Sequence, residues 1–136
     1  MTDANKNANV EIEMERSGEC LRAARILLDA GLLHDAESRL YYAIYHAAVA
    51  LLLTEGVEPR SHAGVTSLLG LHFVRPGRLA SEDARLFARI QKYRVEADYA
   101  RGFVLTETGV REDLAACDGF LERVHAEIGR SLPTSP

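Results

Sequence analysis

The chain has 136 residues, 47% of them hydrophobic and 26% charged, with a formal net charge of −4. That length supports one folded domain with a real core, and the composition excludes a disordered chain. The acidic balance, with a pI near 5.7, excludes long-range attraction to nucleic acid or an anionic membrane, so any such contact needs a local cluster of arginines.

Residues 1–8 are small and polar and are expected to be disordered. From Val10 the apolar residues recur at helical spacing through Met14, Leu21, Ala24 and Leu28, and Gly31 is a natural stop. A second helix opens near Asp35, where the helix dipole favours an acid, and ends at Gly56. Ser61 can cap a third, shorter helix, HAGVTSLLGLHFV, which RPG at 75–77 terminates. Ser81, followed by Glu82 and Asp83, marks the start of a fourth helix with Leu86, Ile90, Tyr93 and Ala97 on one face. RGFVLTETG breaks the pattern, and Thr108 can cap a fifth helix. Its stripe is Val110, Leu114, Cys117, Leu121, Val124 and Ile128, with Pro133 past its end. No stretch alternates as a half-buried strand does. The reading is all-α: an up-and-down bundle of four long helices plus one short helix, as one domain over 9–130 with a flexible tail at 131–136.

Cys20 and Cys117 are far apart and have no metal-type spacing, so both are expected as reduced thiols in a cytoplasmic protein. The opening MTDANKNANVEIE lacks the basic-then-apolar order of a signal peptide, and AIYHAAVALLL is too short to span a bilayer. His34, His72 and His125 share no spacing, and there is no HExxH or CxxC, so neither a metal nor a cofactor is expected.

The second helix is apolar almost all round, which places it centrally or at a subunit interface. Its apolar surface exceeds what a small bundle covers, which predicts a homodimer. Yet Asp35, Arg39, Tyr42 and His46 fall within about 60° of one another on it. As an ordinary wet face, Arg39 would pair with Asp35 and Tyr42 would turn its hydroxyl to water. The same strip continues as Val49 and Leu53, so the polar groups stand at the mouth of a buried seam and need partners. The fourth helix offers Arg94 and Asp98 one turn apart, either as a surface ion pair or as a guanidinium held for an anion. His62 is read as ordering the first turn of the third helix. Tyr41, Tyr42 and Tyr45 are read as a packed core or dimer seam rather than a base-stacking platform.

SRLYYAIYHAA, then SHAGVTSLLGLHFV, then RVEADY resemble the HEPN domain family (higher eukaryotes and prokaryotes nucleotide-binding), in its branch of small stand-alone prokaryotic proteins. The resemblance covers roughly residues 10 to 128. It implies a bundle of four or five helices, usually a homodimer. It also implies either a metal-independent endoribonuclease or a partner of a minimal nucleotidyltransferase in a toxin–antitoxin pair. The ribonuclease signature is an Arg, four to six residues, then a His. The imidazole moves a proton at the ribose 2′-hydroxyl, and the guanidinium holds the phosphate as charge builds. In the family's place this chain reads Arg94-Val-Glu-Ala-Asp-Tyr99, with Tyr99 where the ribonucleases carry His. Arg39 and His46, with six residues between them, match the bare spacing on a different helix, a match that this many arginines and histidines supplies by chance.

Three functions follow. The first is a nucleotide- or RNA-binding homodimer working with a minimal nucleotidyltransferase, its groove lined by Arg39, Tyr42 and His46 on one wall and Arg94, Asp98 and Tyr99 on the other. The second is a ribonuclease toxin with His46 as acid/base and Arg94 or Arg39 on the phosphate. The third is an adaptor whose polar strip fixes dimer register.

Overall fold

The computed structural model describes residues 2–99 and 101–131, the Ala97 side chain excepted. The expectations placed on the Ala97 side chain, Met1 and residues 132–136, Pro133 among them, lie outside the described residues. The helices are α1 (Asp3–Asp29), α2 (Leu33–Thr54), α3 (His62–Leu69), α4 (Ser81–Tyr99) and α5 (Glu107–Ser131). Among the described residues there is no strand, and no helix is long and apolar enough to cross a membrane.

Helix α1 begins at Asp3, well ahead of Val10, because the Thr2 hydroxyl accepts from the Asn5 N–H at 3.1 Å and Asp3 sits in the first turn. The expected disorder of residues 1–8 therefore gives way to helix over 3–8. The polar composition there marks an exposed face, not an absence of structure. Gly31 ends the α1–α2 corner with φ +79°, a conformation that strains any residue with a Cβ. The two helices pack along their length, and the Ser17 hydroxyl donates to the Ala43 carbonyl at 2.6 Å across the seam.

Helix α2 is central, packed by α1, α5, α4 and α3. Leu40, Ile44, Ala47, Ala48, Leu51 and Leu52 are fully buried within this one chain. The excess apolar surface expected on α2 is thus covered internally. The homodimer expectation loses that argument and has to rest on other surfaces.

Ser61 caps α3 as expected, accepting from the Gly64 N–H at 3.0 Å. The third helix does not stay α-helical to Val74: Gly70–Val74 form a π-helical turn, with the Arg75 N–H bonded to the Gly70 carbonyl at 2.9 Å. The wider turn places Phe73 in the core, and Arg78 lies over its ring at 4.5 Å. Arg78 also bonds Glu127 at 2.7 Å, tying this segment to α5. The fourth helix starts at Ser81 as expected, and the Asp83 carboxylate in its first turn accepts from the Ala80 N–H at 3.3 Å. One cap falls elsewhere than expected. Thr106, not Thr108, caps α5 by accepting from the Gly109 N–H at 3.0 Å. Both threonines are capping-type residues two positions apart, and the hydrogen bond decides between them.

One charged residue is buried where α2 meets α5. Glu37 is fully inaccessible, and neither of its carboxyl oxygens makes a hydrogen bond. Burial first, and then the neighbouring Asp113, push its pKa up to about 9, against the pull of Arg89. Asp113 itself is held by Arg89 at 2.6 Å. The unfolded chain releases the Glu37 proton near 4.5, whereas the folded chain keeps it to about pH 9. Between those limits the folded state binds more protons, so stability falls as pH rises. Melting temperature measured across this range should decline with pH, and Glu37→Gln should flatten that slope and raise the melting temperature at its alkaline end.

Candidate functional site

The strip on α2 opens toward α1, α3 and α4. Arg39, Tyr42, Tyr45 and His46 are half-buried along it, while Tyr41 beside them is fully buried. Arg39 turns away from Asp35: its guanidinium lies over the Tyr42 ring at 4.9 Å and interacts with the Cys20 thiol. Burial outweighs that cation and raises the Cys20 pKa, so the thiol stays protonated at neutral pH.

Arg94 reaches across from α4. Its Nη2 donates to the Tyr42 hydroxyl at 3.0 Å, and its guanidinium lies 5.1 and 5.2 Å from the Tyr41 and Tyr42 ring centroids. Asp98 lies one turn along α4 at 3.8 Å, an ionic contact only, because the buried Nε of Arg94 makes no hydrogen bond. A guanidinium resting on two aromatic faces, its side chain 26% exposed, is suited to receive an anion. Tyr99 is 80% exposed and stands apart from this cluster.

No hydrogen bond joins His46 to Arg94. His46 bonds instead to α1, its Nδ1 donating to Glu13 Oε2 at 2.7 Å, with the Tyr42 ring 6.4 Å away. A carboxylate on Nδ1 fixes the ring and leaves Nε2 as the hydrogen-bond acceptor, the arrangement by which a carboxylate readies an imidazole for proton transfer.

The histidine that joins the Arg94 cluster is His62, at the start of α3. Its Nδ1 lies 2.7 Å from the Tyr41 hydroxyl, and its ring stacks on Tyr45 at 4.1 Å with a 3° interplanar angle. Partial burial, then the charges of Arg94 and His46, lower its pKa. Burial pushes Tyr41 up to about 12, so its phenol is neutral throughout the physiological range. Sequence reasoning left three of these residues in structural roles. Spacing alone assigns His62 to the turn and Tyr41 and Tyr45 to the core. The available signal was the shared presence of a tyrosine-rich helix and SHAGV, which periodicity alone does not bring together. Glu13 gave no signal, since one acid on an exposed helix face is unremarked.

Beside Tyr45 an open cleft of about 420 Å³ is lined by Ile12, Glu13, Arg16, Val49 and Leu53. Among the described residues, no three His, Cys, Asp or Glu side chains gather closely enough to hold a metal ion.

Comparison with known proteins supplies the family of this helical bundle. The HEPN domain model matches residues 10–128, and the chain belongs to the HEPN family. A Methanocaldococcus jannaschii protein named as a candidate toxin is 42% identical over 130 residues, covering 94% of this chain and 96% of that one. A Thermotoga maritima UPF0332 protein is 31% identical over 123 residues, covering 90% and 93%. A second M. jannaschii candidate toxin is 33% identical over 89 residues, covering 63% and 58%.

Tyr42→Phe removes the only side-chain hydrogen bond that positions Arg94 within the described structure. Urea unfolding should register a loss of about 1 kcal/mol, the usual contribution of such a bond.

Proposed function

We propose that the chain is a nucleotide- or RNA-binding HEPN module that acts with a minimal nucleotidyltransferase in a toxin–antitoxin-like pair. Family membership and the toxin names of two relatives support the toxin-like role. The observation that carries the binding role is Arg94, half-buried on Tyr41 and Tyr42, with the Arg39 guanidinium also over the Tyr42 ring. Two guanidiniums around one tyrosine make a local cationic site on an acidic chain, and phosphate is the anion their geometry suits. Asp98, one turn from Arg94, restrains it in this reading, and the exposed Tyr99 is available to a longer ligand.

The ribonuclease reading has one specific support, the Glu13–His46 bond, which leaves His46 Nε2 free to take a proton. Against it stands the separation of His46 from Arg94, which leaves the two halves of the chemistry on different partners. Cleavage of a short single-stranded RNA in the absence of metal, abolished by His46→Ala, would establish this second reading over the first.

The assembly in this proposal is a homodimer. Its support is the open cleft beside Tyr45, where the 45% exposed Ile12 of α1 adjoins Val49 and Leu53 of α2. Light scattering at micromolar concentration should give about double the 15.0 kDa chain mass. A monomer mass would remove the shared-groove arrangement. Calorimetric titration with AMP and a short RNA should show binding that Arg94→Ala weakens by roughly 1.5–3 kcal/mol, the range for hydrogen bonds to charged groups. If the polar strip serves only as a structural network, wild-type protein will bind neither ligand while Arg94→Ala lowers its melting temperature.

A further inference from the structure

Two histidines meet this groove, and their hydrogen-bond partners differ in kind. Glu13 can only accept, so it draws a proton onto His46 Nδ1. Tyr41 is different. Its hydroxyl is fully buried, and His62 Nδ1 is its only hydrogen-bond partner within the described structure. A buried O–H must donate, and the imidazole nitrogen is the acceptor on offer. Neutral His62 is therefore held with its proton on Nε2, the reverse of His46. Protonating Nδ1 would strand the Tyr41 O–H.

His62 remains accessible at the protein surface despite its stack on Tyr45, and among the described residues Nε2 has no partner. The ring sits 6.2 Å from the Tyr42 centroid, and the Arg94 guanidinium sits 5.2 Å from the same centroid. Both groups thus present donors around one phenol ring. We propose that His62 is the second donor of the anion site, giving an Nε2–H hydrogen bond to a phosphate held by Arg94, with Tyr41 as the positioning residue that keeps the proton there. This rests on the nucleotide- or RNA-binding reading and adds to it a ligand outside the Arg94–Tyr99 segment. His62 acts here without a change of charge, so its contribution is present with the ring neutral.

The test uses full-length protein, AMP and inorganic phosphate, with calorimetry for affinity and two-dimensional ¹H–¹⁵N spectra for the imidazole nitrogens. Wild-type His62 should show its proton on Nε2 at neutral pH, and its signals should move on adding either ligand. His62→Ala should weaken AMP binding by about tenfold or more, as loss of a hydrogen bond to a charged group does. His62→Gln places an amide N–H at the same reach and should stay within about threefold of wild type, since a donor is all that is required. Tyr41→Phe should mix the two His62 tautomers and weaken binding by roughly three- to tenfold. The glutamine variant also serves if the alanine variant fails to fold. Equal damage from Gln and Ala would overturn the donor role, as would a wild-type spectrum with the proton on Nδ1. Should His62→Ala bind AMP like wild type while Arg94→Ala does not, the inference falls and the binding reading stands. If wild type binds no AMP, phosphate or RNA, the reading beneath it fails.

Discussion

Helix α2 must be covered on nearly every side, and what cannot be covered has to leave by a single strip. Leu40, Ile44, Leu51 and Leu52 have no exposure at all, so the helix cannot rotate without bringing apolar surface to water. That fixes the direction in which Arg39, Tyr42, Tyr45 and His46 project. The groove is thus a consequence of core packing: its inner wall is rigid because the opposite faces of the same helix are immobilised by α1, α4 and α5. A binding site on such an element needs little reorganisation to hold its geometry.

The outer walls are assembled differently. Arg94 comes from α4, His62 from the start of α3 and Glu13 from α1, and each is tied back to α2 by one short polar contact: to Tyr42, Tyr41 and His46. Three helices are registered against the fourth by side chains of the candidate site itself. Loss of one such contact loosens a wall without opening the core. The Arg78 and Arg89 pairs to Glu127 and Asp113 hold the far parts of the bundle and leave the groove contacts free of that task.

Helix number, order and stripes were legible because period and punctuation are local properties. Val10 to Leu28 on α1 and Val110 to Ile128 on α5 lie at helical spacing, and Gly31 and Gly56 sit at positive φ where helices were expected to stop. What escaped was pairwise. Whether Thr106 or Thr108 caps α5 depends on a single hydrogen bond. Whether His46 meets Arg94 or Glu13 depends on how α1 and α4 are placed about α2, which no periodicity encodes. Glu37 illustrates the same limit. A charge within an apolar helix pattern reads as an exposed position, yet it is fully buried beside Asp113. The half of the site carried by Arg39, Tyr42 and Arg94 was visible from spacing and resemblance. The half carried by Tyr41, Tyr45 and His62 needed the fold.

The two histidines show how neighbouring side chains of one type acquire opposite functions. An imidazole has one proton to place when neutral, and the partner on Nδ1 decides where it goes. Glu13 is an acceptor and turns His46 Nε2 into an acceptor; buried Tyr41 is a donor and turns His62 Nε2 into a donor. Phosphate, whose oxygens only accept from such groups when ionised, is therefore matched to His62 and Arg94 and mismatched to neutral His46. A ribose hydroxyl, which has a proton to give, is matched to His46. On the proposed binding role, the groove would sort the two parts of a nucleotide, phosphate toward α3 and α4 and sugar toward α1. On this division, an arginine and a histidine need not lie in one short segment to work together, and the exposed Tyr99 need not replace a missing histidine, because α2 presents the tyrosines that bring Arg94 and His62 to the same place.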